Sequence, residues 1–157
     1  MDKARATPWT LAELARFDAP LLTDRAGWQA TANAGVPQNA IDGLRDSSHE
    51  HAWHGSNNPG CWLAVDLGKP YLLTHLIMDS VEPDYYPRRY KVELSDDGKS
   101  WREVDAGIGE RIETLASFEP QLARHIRITQ TGNDYPRWMV GELWIHGTAG
   151  DAATAAK

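Results

Sequence analysis

Between Pro20 and Gly147 no segment sustains the 3.6-residue apolar repeat of a helix, which removes most of the folds open to a chain of 157 residues. What remains is a series of short runs, punctuated by Gly, Pro, Asn and Asp, in which apolar residues recur at every second position. In Tyr90–Ser95, Tyr90, Val92 and Leu94 share one face, and Lys91 and Glu93 share the other. In the run from His125, Ile126 and Ile128 point one way and Arg127 and Thr129 the other. Asp97-Gly98 supplies a tight turn between two such runs. The strands expected on this basis are Trp28–Ala32, Trp62–Leu67, Leu72–Asp79, Tyr90–Ser95, Arg102–Val104, Arg111–Leu115, His125–Thr131 and Val140–His146. That spacing is the pattern of an all-β sandwich. Ahead of it, Thr10-Leu11-Ala12-Glu13 has the spacing of a capping box and predicts a short helix. The expected organisation is a leader and helix over 1–20, a sandwich over 21–148 and a linker stub over 149–157.

Composition narrows the function. The length suits one domain with a sizeable core. The net charge of −6 comes without a basic block, and scattered Lys and Arg argue against a nucleic-acid partner. No apolar run reaches the length of a membrane span, and the first residues lack the apolar core of a signal peptide. Cys61 is the single cysteine, so no internal disulfide forms; its strand-like setting predicts a buried thiol. No G-x-S-x-G, H-E-x-x-H or phosphate loop is present, so the expectation is a protein that is not an enzyme. Seven Trp and five Tyr stand against two Phe, a bias toward rings that carry a polar handle.

Three connections interrupt the strand pattern. Residues 43–60 and 80–87 are long loops rich in His, Trp, Asn, Tyr and Arg, the composition of binding loops rather than of disorder. The third places Tyr135, Arg137 and Trp138 among Gly132, Asn133, Asp134 and Pro136, just before the last strand. Turn chemistry of that kind predicts surface exposure.

Taken in order, "NAIDG" (39–43), Trp53, "CWLAVDLGKPYLLTHLIM" (61–78), "YPRRYKVELSDDGKSW" (86–101), "ARHIRITQTG" (123–132) and "GELWIHG" (141–147) resemble the discoidin domain, also called the coagulation-factor type C domain. In bacteria its close relatives form carbohydrate-binding module family 32. The resemblance spans residues 24–147. It implies an eight-stranded jelly roll of the galactose-binding-domain type that binds a glycan or polysaccharide through loops at one end. It also implies attachment to other domains of a larger carbohydrate-active protein that is extracellular or periplasmic.

Carried over residue by residue, the resemblance implies an aromatic platform at Trp138 or Tyr135 for the apolar face of a sugar. His54, Asn57 or Asn58, and Arg88 supply hydrogen bonds, and Arg137 adds to a basic cluster suited to a charged glycan. Trp53 and Trp62 match core positions, and Arg88 has the alternative of bracing its loop. The family's structural calcium implies Asp42, Glu142 and the carbonyl of Asn39 as ligands. Leu44 and His51 stand where relatives often carry a second Asp and a Thr. The alternative therefore stays open that Asp42 caps a turn and Glu142 finds a cationic side chain. Two other functions also stay open: an adhesion domain for protein or lipid headgroups, and a spacer that has lost its ligand.

Overall fold

The computed structural model describes residues 19–44, 49–133 and 136–150. Eight strands follow in chain order: β1 (Gln29–Ala32), β2 (Trp53–His54), β3 (Trp62–Asp79), β4 (Tyr90–Ser95), β5 (Arg102–Gly107), β6 (Glu113–Gln130), β7 (Met139–Val140) and β8 (Glu142–Ala149). The helix expected at Thr10 lies outside the described residues, as do Asp134 and Tyr135. The described helical turns are short 3-10 segments at Pro37–Ala40 and His49–His51.

Two pairs of expected strands turn out to be single bent ones. Trp62–Leu67 and Leu72–Asp79 fuse into β3, and Arg111–Leu115 and His125–Thr131 fuse into β6. Gly68, Lys69 and Pro70 read as a stop, yet the antiparallel β3–β6 ladder only shifts register between Asp66 and Tyr71 and then resumes. Both strands bend together there, so the ladder turns a corner instead of ending. Its first limb carries β1 on one side and continues through β6 to β4 and β5; its second limb carries β8. Leu63, Val65 and Leu67 from the first limb and Leu73, Leu76 and Met78 from the second enter one core. The result is an all-β sandwich in which the same two strands serve both layers. Burying each such side chain stabilises the fold by roughly 1.5–3 kcal/mol.

Residues 19–25 run along β8. Leu22 donates its amide to Ile145 O at 2.8 Å, and Gly147 donates to Pro20 O at 2.9 Å. The β4–β5 hairpin turns at Gly98, whose φ of +76° only glycine adopts without strain. Asp97 fixes that turn by accepting the amides of Lys99 and Ser100 at 2.8 and 2.9 Å. Those amides hold its carboxyl down at about 2. Because the folded value lies below the ordinary one, the stability it lends is complete above pH 4 and is lost as pH falls through about 2. Asp97→Asn is expected to flatten that acid limb of the melting curve, read by thermal unfolding from pH 5 to 2.

Candidate functional site at the loop end

Corner-folding of β3 and β6 brings the start of β3, the end of β6 and the segments before β6 and β8 to one end of the sandwich. Hydrogen bonds between loops hold that end together. Gly60 donates to Gln130 O at 2.8 Å, Met139 to Tyr85 O at 2.9 Å, Ser80 to Ile112 O at 2.7 Å and Thr131 to Arg89 O at 2.8 Å. At the centre is Gln130, 1% exposed. Its Nε2 donates to Ser56 O at 2.6 Å and its Oε1 accepts the Arg88 amide at 3.1 Å. One buried amide thereby ties the 55–61 loop to the 80–89 loop. Gly109 packs so closely against the second loop that a Cβ there would overlap the Pro87 carbonyl oxygen. Val81 and Ile112, both β-branched, take left-handed φ values of 68° and 69° at the same end. Such residues persist there only when their surroundings hold them, at a cost of order 1–3 kcal/mol each.

The aromatic platform expected at Trp138 is not one. Trp138 is fully buried and meets Trp53 edge to face, ring centroids 4.7 Å apart at 86°. Its backbone explains why: the Trp138 carbonyl accepts Gly55 N–H at 2.8 Å as β7 pairs with β2, drawing the residue inward. The local turn chemistry that suggested exposure belongs to the residues just before it. Trp53 is core, as the resemblance implied, whereas Trp62 is half-exposed on the outer face of β3. Cys61 is buried, its Sγ accepting the Ser56 amide at 3.2 Å.

What the loop end presents to solvent is a concavity of about 510 Å³ lined by Tyr86, Arg88, Arg89, Ile108, Thr131, Gly132 and Asn133. Of the residues expected to bind, Arg88 lines it. Its guanidinium stacks on Tyr86 at 3.9 Å and donates to Asp84 O at 3.0 Å and Tyr86 O at 3.4 Å. Arg88 therefore braces its loop while contributing to the wall, and it covers one face of Tyr86. Asn57 and Asn58 sit across Ser56 from Gln130, Asn58 donating its amide to Ser56 Oγ at 3.2 Å. His54 lies half-buried on β2 opposite Met139, and Arg137 is exposed. Thr131 and Asn133 escaped the sequence reading. Gln130 carried a signal: it follows Ile126 and Ile128 at period two, an amide on an apolar face.

The residues implied for calcium sit elsewhere at the same end, and a different cation stands among them. Glu142, with no exposed surface, accepts Gly43 N–H on Oε1 at 3.0 Å and the Arg25 guanidinium on Oε2. Asp42 accepts the Leu44 amide at 2.9 Å, a local turn cap. The Asn39 amide donates to Glu50 O and Ala52 O at 3.3 and 3.2 Å. Burial pushes the Glu142 carboxyl up to about 8; Arg25 pulls it down and neighbouring Asp42 pushes it up. Among the described residues no group of three His, Cys, Asp or Glu side chains comes together. Calcium favours six to eight oxygens; here a guanidinium lies against the buried carboxyl.

The sequence pattern of the F5/8 type C domain matches residues 24–143. Among proteins of curated function none matches the chain. Solved structures match its fold. A CBM32-3 module from a family 31 glycoside hydrolase of Clostridium perfringens has a TM-score of 0.66 at 23% identity, covering 82% of this chain and 95% of that one. The CpGH89CBM32-5 module of the same organism, solved with GalNAc-beta-1,3-galactose, gives 0.67 at 19% identity over 81% and 99%. The family 32 CBM of C. perfringens NanJ, solved with galactose, gives 0.65 at 19% over 77% and 94%. With the pattern match spanning most of its length, the chain belongs to the F5/8 type C domain family.

Proposed function

We propose that the chain is a non-catalytic carbohydrate-binding module whose loop end holds a glycan for an attached or associated carbohydrate-active enzyme. The observation that carries this reading is the open, polar concavity beside a rigidly knit set of loops. Arg89, Thr131 and Asn133 line it with donors and acceptors, and Arg88 walls it. A fixed guanidinium can grip two sugar hydroxyls at once, and a rigid frame lowers the cost of ordering on binding. With Trp138 buried and one face of Tyr86 covered, contact here runs through hydrogen bonds more than through ring stacking. Such contacts gain little over water singly, so the affinity of one module is modest and tethering to an enzyme multiplies it.

The company of the fold supports the reading, since two of the structural neighbours were solved with galactose-containing ligands. An extracellular or periplasmic setting accords with it, and no helix among the described residues is long and apolar enough to cross a membrane.

A glycan array identifies the ligand, and calorimetry on that ligand tests the site. Arg89→Ala and Asn133→Ala are each expected to weaken binding about tenfold, the worth of one good hydrogen bond, with melting unchanged because both residues are exposed. Silence across a broad array would sink the proposal.

A further inference from the structure

We propose that the Arg25 guanidinium is the resident cation of the Asp42–Glu142 corner, so that the first and last segments of this domain are joined without a divalent metal. The guanidinium is housed on several sides. Its Nη1 meets Glu142 Oε2, and its Nη2 donates to Leu143 O at 3.4 Å. Its carbon lies 4.7 Å from the Trp28 ring and 5.4 Å from the Trp144 ring. Two indoles, a carbonyl and a buried carboxylate thus surround a side chain that is 14% exposed. A guanidinium is more weakly hydrated than an ammonium and stacks on aromatic faces, so it suits a site of this dryness better than lysine does.

The Glu142 carboxyl meets the Arg25 guanidinium, Gly43 N–H and the Asp42 carboxyl in this corner. Glu142 has no exposed surface, so an ionised form needs a neighbouring positive charge. Its other oxygen is taken by Gly43 N–H, which aligns the Asp42 loop with the start of β8. Arg25 reaches this corner three residues after Leu22, whose amide bonds to Ile145 O. The link spans 117 positions and joins the first and last segments of the domain. Asp42 caps its own turn through Leu44 N–H and also hydrogen-bonds the Glu142 carboxyl.

Thermal unfolding of the intact chain in EDTA and in millimolar calcium is the first test. The proposal expects one midpoint in both; a midpoint raised by calcium overturns it. Arg25→Met is expected to lower the midpoint by about 5 °C, since the buried Glu142 carboxyl loses its guanidinium partner. Arg25→Met combined with Glu142→Leu removes both partners and is expected to recover most of that loss. A double variant no more stable than the single one also overturns the proposal, because Arg25 would then be needed for something other than its contact with Glu142. Should Arg25→Met fail to fold, the double variant and the calcium comparison on the unaltered chain still decide.

Discussion

Trp138→Ala is expected to lower stability by about 3–5 kcal/mol, the usual cost of emptying the space of a large buried ring. For a domain of this size that corresponds to a fall in melting midpoint of about 10 °C or more. The ring has no exposed surface and packs edge-on against Trp53, itself fully buried, so its loss also undoes an aromatic contact. Trp138→Phe separates packing from polarity. The Trp138 Nε1 has no acceptor among the described residues, so phenylalanine keeps most of the apolar contact and relieves an unpaired donor. Its midpoint should stay close to the original. Thermal melts of the two variants check this directly. An alanine variant that melts normally while losing glycan binding would restore the ring to the role of platform and overturn its assignment to the core.

The second large effect is expected at Gln130. Gln130→Leu keeps the volume but leaves the Arg88 amide without its acceptor and Ser56 O with only the long bond from Trp138 N–H at 3.4 Å. A buried polar group without a partner costs about 1–3 kcal/mol, so a loss of about 2 kcal/mol is expected, together with faster hydrogen exchange at the Arg88 amide as the two loops come apart. Gln130→Glu should be worse. It keeps an acceptor for Arg88 but aims a carboxylate at the Ser56 carbonyl, replacing attraction with repulsion. Exchange at Arg88 that stays slow in both variants would mean that the loops are held by other contacts.

The burial of Trp138 and the corner at Gly68–Pro70 both depend on partners far along the chain. Strand β4 was legible because Tyr90, Val92 and Leu94 alternate with Lys91 and Glu93, and alternation is a local property. The exposure of Trp138 was misjudged because the turn residues before it are local, while its burial depends on β7 meeting β2, some eighty-six positions away. β2 and β7 themselves, two residues each, are too short to show a period. The corner at Gly68–Pro70 read as an end because Gly and Pro usually stop a strand, and nothing nearby announces that β6 bends with it. Asp42 and Glu142 were picked out through the family resemblance. The partner of Glu142, Arg25, lies in a segment with no motif of its own, so only the folded chain reveals it.

The continuous β3–β6 ladder bears on how the domain comes into being. Since both layers hang on the same two strands, neither can assemble and wait for the other. The chain from β3 to β6 must be complete before either layer closes, and most of the closing contacts join residues far apart in sequence. Loop closure of that kind is slow to initiate and all-or-none once begun. The shared corner thus makes the domain a single cooperative unit.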